Sequence, residues 1–294
     1  MALWNGKALN CLPQQGAGGN FRMEIQFTKL HENGNDFIVI DEWEHVVIPD
    51  DMKTQFAAIY CDCKFGIGAD GVIFGMKSAK SNLRMRLLRP DETETPMYGN
   101  GIRCLAKFAF DAGYVKESCT VVTPAGEIGV TMGYKDEDFL ATITMTPPLY
   151  DRKDIPATGL GEYKETIEGY VVYAVNTGVP HAVIPVDSVD AVDLETVAPR
   201  IRHHPTFPEG VNVTFVEKTG QDSIRIRTFD RGVEEETLSC GTGATASAAI
   251  MHRLGRTGDV VEVETRGGPL TIYLKETVKM EGPATTVFSG HIFF

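Results

Sequence analysis

Two segments of this chain that lie 142 residues apart carry the same Gly-x-Gly pattern, and this repeat constrains the fold more than any other feature. Residues 98–101, YGNG, align with residues 240–243, CGTG. The helix-like stretches that follow both reach a glycine at the same spacing, Gly113 and Gly255. Three further pairs of segments match in the same order: 34–40 with 178–184, 70–74 with 211–215, and 123–128 with 265–270. Matches that share one order predict a duplicated fold with two similar lobes.

Each half of the chain consists mostly of short, β-rich runs bounded by Gly, Pro or Asn, which is the pattern of strands. These runs are FIVID, GVIFG, LRMRLL, CTVVT and EIGVTM in the first half, and YVVYAV, HAVIPV, VNVTFV, SIRIRTF, VVEVET and LTIYL in the second. Helical pattern follows each Gly-x-Gly and recurs in DMKTQFAAIYCDC and DLETVAPRIRHH. This distribution predicts an α+β fold of two pseudo-symmetric lobes with a cleft between them.

The repeat also suggests where the lobes begin and end. We expect an N-terminal lobe of residues 23–143 together with residues 285–294, and a C-terminal lobe of residues 144–284. The closing stretch TTVFSGHIFF alternates like a strand and is expected to return to the first lobe. Residues 1–22 show no periodic pattern and no apolar core of a signal peptide, so we interpret them as a leader or a disordered arm.

The overall charge limits the kinds of molecule that the chain is expected to bind. The chain has 28 Lys and Arg against 40 Asp and Glu, a formal net charge of −12, and it has no basic cluster of the kind that a nucleic acid backbone requires. No apolar run is long enough to cross a bilayer. We therefore expect a small-molecule partner, with no nucleic acid and no membrane.

The six cysteines do not have the spacing of a disulfide framework or of a zinc site. Together with the lack of an export signal, this predicts a reducing, cytoplasmic setting in which most thiols fill the core. The cysteines are Cys11, Cys61, Cys63, Cys104, Cys119 and Cys240.

The repeated motif points to chemistry at helix ends. A helix N-terminus has unpaired N–H groups and a partial positive charge, and glycines let an anion approach them closely. A cysteine at that position has its thiolate stabilised. Two such ends that face each other would hold one carboxylate and place an acid/base group on each side of it. Inversion of an amino-acid Cα requires this arrangement, because one group removes the proton and another returns one from the opposite face.

From Met23 to Phe294 the chain resembles the diaminopimelate epimerase family, whose members interconvert LL- and meso-diaminopimelate without pyridoxal in lysine and cell-wall synthesis. The motifs that carry the resemblance are FTKLHENGNDFIVID, GIGADGVIF, MYGNGIRC, NTGVPHAV, FPEGVNVTFVE, FDRGVEEETLSCGTGA and GPATTVFSGHIFF. The resemblance implies that each lobe is a barrel-like, mostly antiparallel sheet around a central helix. The resemblance also implies an isomerase that needs no cofactor and no metal. It is compatible with a homodimer.

The resemblance assigns roles to particular residues. Cys240 matches one of the family's two cysteine acid/bases, and Tyr98 occupies the position of the other. His181 and Asp230 match groups that tune the catalytic pair. Seven positions match substrate contacts: Asn35, Gly99, Asn100, Asn212, Arg231, Gly241 and Thr242. Among them, Gly241, Thr242, Gly99 and Asn100 supply N–H donors, and Arg231 pairs with the distal carboxylate.

The departures from the family pattern concentrate in this site. Besides Tyr98, Asp230 stands where the family usually has Glu, and Val179 and Arg89 stand where it has Asn. Three interpretations of Tyr98 stay open: an acid/base in a reshaped site, one-sided chemistry by Cys240, or a blocked position. Arg89 is interpreted as a solvated charge or a second anion contact, and the first is favoured.

Other functions compete with epimerisation. GTGATA fits a loose dinucleotide-binding pattern, but the residues before it do not read as a buried parallel strand. A cysteine hydrolase built on Cys240 and His181 is a second alternative. A third is a racemase of another amino acid, such as histidine, or a ligand-binding relative without turnover. Two site residues also have purely structural interpretations: His181 as a packed strand histidine, and Arg231 as a surface ion-pair partner. His203 and His204 lack a third metal ligand and are expected at the surface.

Overall fold

The structure of the protein is a computed structural model that describes residues 23–79, 82–91, 93–94, 101–124 and 126–294. Its first half runs through seven strands and two helices. The strands are β1 (Glu24–Glu32), β2 (Asn35–Glu42), β3 (Gly71–Lys77), β4 (Leu83–Leu88), β5 (Ser118–Thr123), β6 (Gly126–Lys135) and β7 (Asp138–Thr144). The helices are α1 (Lys53–Tyr60), which follows a short 3₁₀ turn, and α2 (Ile102–Asp111).

The second half contains ten strands and two helices. The strands are β8 (Lys164–Ile167), β9 (Tyr170–Asn176), β10 (Pro180–Val186), β11 (Asn212–Lys218), β12 (Ser223–Phe229), β13 (Glu236–Thr237), β14 (Val260–Thr265), β15 (Gly268–Leu274), β16 (Val278–Pro283) and β17 (Thr285–Phe293). The helices are α3 (Leu194–Arg202) and α4 (Gly241–Arg253). Both helices that the pattern predicts outside the Gly-x-Gly segments, α1 and α3, are present.

The two halves have the same order of strand pairings. In the first half β1/β2 is antiparallel, β2/β3 parallel, β3/β4 antiparallel and β4/β5 parallel, and β5, β6 and β7 form an antiparallel meander. In the second half β9/β10 is antiparallel, β10/β11 parallel, β11/β12 antiparallel and β12/β14 parallel, and β14, β15 and β16 form the matching meander. The predicted duplication of the α+β fold is therefore confirmed.

One helix occupies the centre of each half. Helix α2 lies against β1, β2, β3, β6 and β7, and α4 lies against β9, β10, β11, β12, β14 and β15. Every residue of α4 from Gly241 to Met251 is buried. This segment is built almost wholly of Gly, Ala, Ser and Thr, and small side chains on all sides let the sheet approach the helix closely.

Both central helices end in the same way. Gly113 follows α2 with φ +77°, and Gly255 follows α4 with φ +68°. Beyond each glycine the next N–H returns to a carbonyl five residues back, from Tyr114 to Ala109 and from Arg256 to Met251. A left-handed residue just after a helix is usually glycine, because it has no Cβ to clash. The two glycines of the sequence repeat are therefore matched helix terminators.

Strand β17 pairs with β1, antiparallel, in the position that β8 takes beside β9. The two halves are joined by antiparallel pairing of β7 with β16, where Ile143 lies opposite Met280. We propose that the N-terminal lobe consists of residues 23–143 and 285–294, and the C-terminal lobe of residues 144–284. The two pairings support these boundaries. Residues 1–22 lie outside the described part. No helix of the described chain is both long and apolar enough to span a membrane.

Candidate active site

Cys240 lies at the N-terminus of α4 and caps it. Its backbone is extended, with φ −132°, and the N–H of Gly243 donates to Sγ at 3.4 Å. The hydroxyl of Thr242 is also 3.4 Å from Sγ. The first N–H groups of a helix have no intrahelical carbonyl to bind. The buried thiol therefore lies at a helix end, where it accepts the N–H of Gly243.

Asp230 faces this thiol from the turn that follows β12. Burial and, after it, the Asp230 carboxylate raise the pKa of Cys240 to about 12, against the opposing effect of the Thr242 hydroxyl and the Gly243 N–H. Burial also raises the pKa of Asp230, while its hydrogen bond with Cys240 and the charges of Arg89 and Arg231 lower it. In the free protein the thiol therefore keeps its proton and presents it to the carboxylate.

His181 contacts the site through Thr242. Its Nε2 lies 2.9 Å from the Thr242 hydroxyl oxygen. Burial, helped by the charge of Arg231, lowers the pKa of His181 to about 3, so the ring is neutral at physiological pH. Within the described residues His181 has no hydrogen bond to Sγ of Cys240, and its Nδ1 has no partner. The ring therefore orients the hydroxyl that lies beside the thiol.

Gly243 lets α4 approach the sheet closely. A Cβ at this position would lie 3.1 Å from Oγ1 of Thr228, 3.2 Å from Oγ1 of Thr214 and 3.3 Å from Cε1 of His181. The two threonine hydroxyls are hydrogen-bonded to each other at 3.1 Å. The second glycine of the motif is thus needed for packing against β11 and β12, which brings His181 under the start of the helix.

Asn212 and Arg231 lie together beside this centre. Asn212, buried at the start of β11, accepts the N–H of Arg231 at 2.6 Å. The Arg231 guanidinium donates to the carbonyls of Glu209 and Gly210 at 3.3 and 3.4 Å. Both residues were predicted as substrate contacts. Arg231 retains donors for an anion, because these two bonds use only Nη1.

Arg89 is exposed, as the favoured interpretation predicts. Its charge nevertheless lowers the pKa of Asp230 in the second half and of Asp70 in the first. Arg89 therefore acts electrostatically on the cleft as well as facing solvent.

Asn35 brings the first half to the catalytic segment. Its Nδ2 donates to the carbonyl of Ser239, the residue before Cys240, at 3.1 Å. Asn33, in the same β1–β2 turn, donates to the carbonyl of Pro269 at 3.0 Å. The β1–β2 turn therefore contacts the second half at two places, just before Cys240 and on β15.

The described residues include only the last glycine of the first Gly-x-Gly. Tyr98, Gly99 and Asn100 lie outside the described residues, and α2 begins at Ile102 after Gly101 with φ +91°. Cys104, six residues beyond Tyr98, is fully buried, and burial raises its pKa well above that of a free thiol. It is a packed core thiol, as the sequence indicates.

Sequence reasoning missed two hydroxyl groups. It assigned Thr242 only an N–H, whereas its hydroxyl links His181 to Cys240. It missed Thr177, whose hydroxyl donates to the Thr242 carbonyl at 2.9 Å. The position of Thr177 within NTGVPHAV, two residues before the altered Val179, is the one signal that would have indicated it.

The structure argues against the dinucleotide-binding alternative. The strand before α4 is β13, two residues long and antiparallel to β12, so the segment is not the strand-turn-helix of a dinucleotide site. Among the described residues, no three His, Cys, Asp or Glu side chains are placed to hold a metal ion. His203 is exposed, with Nε2 3.5 Å from Glu234.

Comparison with known proteins connects the chain to one family by sequence. The family described as diaminopimelate epimerase matches residues 27–149 and 173–287. A diaminopimelate epimerase of Methanothrix thermoacetophila is 50% identical over 269 residues, which cover 91% of this chain and 95% of that protein. The enzyme of the same name from Methanocella arvoryzae is 50% identical and covers 92% and 97%. That of Archaeoglobus fulgidus is 44% identical and covers 91% and 96%.

Solved structures with low sequence identity share the fold. A phenazine biosynthesis protein of the PhzF family from Bacillus anthracis has a TM-score of 0.70 at 16% identity, and covers 92% of this chain and 99% of that one. A hydroxyproline epimerase from Agrobacterium vitis has a TM-score of 0.60 at 18% identity, and covers 92% and 93%. At these identities the structural similarity establishes the shared fold and does not identify the substrate.

Proposed function

This chain belongs to the diaminopimelate epimerase family, and we propose that it interconverts LL- and meso-diaminopimelate by proton transfer at Cα, without a cofactor, as a step of lysine and cell-wall synthesis. The observation that carries the proposal is the buried thiol of Cys240 at the N-terminus of α4, in contact with Thr242 and Gly243 and facing Asp230. A thiol in this position can exchange a proton with a carbon atom whose carboxylate binds the same helix end.

In the direction in which Cys240 acts as the acid, its role follows from its protonation state. The pKa of about 12 keeps the thiol protonated, so Sγ–H gives its proton to the carbanion at Cα and becomes a thiolate. The Thr242 hydroxyl and the Gly243 N–H then stabilise the sulfur anion. The N–H groups of Gly241 and Thr242 bind the substrate carboxylate and stabilise the charge that builds on it while Cα lacks its proton.

In the reverse direction Cys240 must first lose its proton. Asp230 is the group placed to take it, because it faces the thiol and its own pKa is raised by burial. The thiolate then removes the proton from Cα, and the electron pair of the broken C–H bond moves into the carboxylate. The thiol and the carboxylate thus share one proton, which can lie on either group.

On the opposite face of Cα, this sequence supplies Tyr98 instead of the family's second cysteine. A phenol has an unperturbed pKa near 10, against about 8.5 for a thiol, so it releases a proton less readily at neutral pH. The ring is also much larger than a thiol. We therefore expect Tyr98 to slow epimerisation relative to a protein with cysteine at this position.

The distal end of the substrate is assigned to the polar residues beside the thiol. Arg231 would bind the distal carboxylate with the guanidinium donors that Glu209 and Gly210 leave free. Asn212 would hold the backbone of Arg231 in place, and Asn35 would close the site from the first half. The neutral ring of His181 would keep Thr242 oriented toward the thiol.

The protein is expected to act in the cytoplasm as a homodimer. The five described cysteines are all free thiols, which suits a reducing compartment. Strand β17 pairs with β1 along one edge, and the Tyr60 hydroxyl donates to the carbonyl of Phe293. Val287, Phe288 and Phe293 are exposed on this strand, and a second copy of β17 would cover them. If Phe288→Ser leaves the mass in sedimentation unchanged, this edge is not the interface.

Exchange of the α-proton tests the proposed function. The protein is incubated in D₂O with LL- or meso-diaminopimelate, and deuterium at Cα and the ratio of isomers are followed by NMR. We expect exchange that is lost in Cys240→Ala. If neither isomer exchanges its α-proton and another amino acid such as histidine does, the protein is a racemase of that amino acid instead.

A further inference from the structure

Glu32 and Arg103 form a buried charge pair at the start of the first central helix. Glu32 is the last residue of β1, and Arg103 is the second residue of α2. Their side chains are 0% and 2% exposed, and Nε of Arg103 lies 3.4 Å from Oε2 of Glu32. Charged side chains are almost never buried to this extent unless they are paired.

The pair lies at the junction of the two halves. A Cβ on Gly282 of β16 would be 3.2 Å from Cζ of Arg103, so the guanidinium rests against the backbone of the second half. Glu32 precedes the β1–β2 turn, whose Asn33 and Asn35 bind Pro269 and Ser239. The pair therefore connects the first turn of α2 with the segment that contacts the residue before Cys240.

The hydrogen bonding of the pair is incomplete. Within the described residues, neither carboxylate oxygen of Glu32, nor Nε and Nη1 of Arg103, has a hydrogen-bond partner of good geometry. Burial raises the pKa of Glu32 to about 7, and the Arg103 charge and the nearby N–H groups of Gly101 and Arg103 offset only part of the rise. An ionised carboxylate here is costly, so a second state with a proton is accessible near neutral pH.

We propose that Glu32 and Arg103 are positioning residues that couple binding of the substrate carboxylate at the first helix to uptake of one proton by Glu32. The inference rests on the proposed function. When Glu32 is ionised, the pair is neutral and the carboxylate faces the helix N–H groups that attract anions. When Glu32 is protonated, the pair carries the charge of Arg103 alone, and the same helix end attracts the substrate carboxylate more strongly.

The other charged groups near the pair do not replace Glu32 in this role. Cys104 on α2 keeps its proton because burial raises its pKa, and Asp36 on β2 is paired with Lys29 at 2.7 Å. His31 precedes Glu32 on β1 and points to the other face of the strand. In the catalytic cluster, His181 and Cys240 have pKa values of about 3 and about 12. Both lie outside the range from pH 6 to pH 8.

Calorimetric titration of the full chain tests the coupling. An equilibrated mixture of LL- and meso-diaminopimelate is the ligand, so that no net reaction heat arises. Measurements at pH 6 and pH 8 use two buffers with different heats of ionisation. If only the form with protonated Glu32 binds tightly, affinity falls about tenfold from pH 6 to pH 8, with uptake of nearly one proton at pH 8. Glu32→Gln is expected to bind with little pH dependence and without this uptake.

Matched controls separate this effect from general damage to the core. Glu42→Gln alters another buried pair, in which Lys53 lies 2.7 Å from Glu42, and is expected to keep the parent's pH dependence of binding. Glu32→Ala removes the same charge as Glu32→Gln and serves if the glutamine variant does not fold. The inference is overturned if both Glu32 variants bind with the parent's pH dependence and proton uptake. If the parent binds neither isomer at any pH, the proposed function is wrong, and the inference, which rests on it, is overturned as well.

Discussion

The hydroxyl of Thr242 lies 2.9 Å from Nε2 of His181 and links that ring to the thiol of Cys240, 3.4 Å away. His181 therefore affects the thiol through a neutral hydroxyl group. Because its pKa is lowered to about 3, the ring adds no charge to the site above pH 4. It fixes the direction in which the Thr242 hydroxyl points.

Removing this hydroxyl should slow proton transfer and leave binding almost unchanged. Thr242→Val loses one hydrogen bond to a sulfur that carries charge during the reaction, worth about 1–2 kcal/mol. We expect kcat to fall about tenfold with little change in KM. Thr242→Ser keeps the hydroxyl and should recover most of the rate in the deuterium-exchange assay. Equal loss in both variants would show that keeping the hydroxyl does not preserve the rate, and would contradict the role assigned to it.

Replacing Asp230 should separate the acidity of the thiol from its function. The second-largest cause of the raised pKa of Cys240 is the Asp230 carboxylate, so Asp230→Asn should lower that pKa. The thiolate absorbance near 240 nm, followed against pH, measures the shift. The α-proton exchange should nevertheless fall about 10²–10⁴-fold, because the group that accepts the thiol proton is gone. Asp230→Glu, which retains a carboxylate, should keep part of the activity, and an unchanged thiol titration in Asp230→Asn would contradict the assignment.

The buried carboxylate of Glu32 should make stability depend on pH. Its folded pKa of about 7 is above its ordinary value of 4.5, so the folded state binds more protons between these values and this contribution to stability falls as pH rises from 4.5 to 7. His181 acts in the opposite direction, because its folded pKa is below 6.5. The difference between parent and Glu32→Gln is therefore the quantity to measure.

We expect Glu32→Gln to gain stability relative to the parent as pH rises to 7, by an amount on the order of 3 kcal/mol at most. Urea unfolding at pH 4.5, 6 and 7.5 gives the free energies of unfolding. A difference between the two proteins that stays constant across these values would show that Glu32 does not titrate in this range.

Gly243 should not tolerate a methyl group. In Gly243→Ala the added Cβ lies 3.1–3.3 Å from Thr228, Thr214 and His181, and overpacking of this kind costs about 1–3 kcal/mol. The shift of His181 should also reduce activity. Gly133→Ala is the matched control, because nothing lies within 4 Å of its Cβ. Loss of stability in the control equal to that in Gly243→Ala would point to a backbone effect instead of a packing effect.

Local pattern and the internal repeat were sufficient to predict most of the fold and the position of Cys240 at the start of a helix. The strand-like runs, the helix after CGTG and the glycines that end α2 and α4 are local features, so the sequence displays them directly. The hydroxyl role of Thr242 and the burial of Glu32 depend on which strands meet under a helix. A charged residue beside a turn, as in HENG, is predicted to be exposed until α2, which carries Arg103, is known to lie against it.

Substitution of Tyr98 tests whether the acid/base group at the first Gly-x-Gly limits the rate of epimerisation. Tyr98→Cys restores the thiol of the family, whose unperturbed pKa is about 1.5 units below that of a phenol. We therefore expect kcat for conversion of LL- to meso-diaminopimelate to rise at least about tenfold, with exchange at Cα becoming coupled to inversion. The parent should show slower inversion. Cys104→Ser, which alters a buried thiol on α2, should not change the rate in either background. If Tyr98→Cys is slower than the parent, the phenol is itself an effective acid/base, and the site has been reshaped around it.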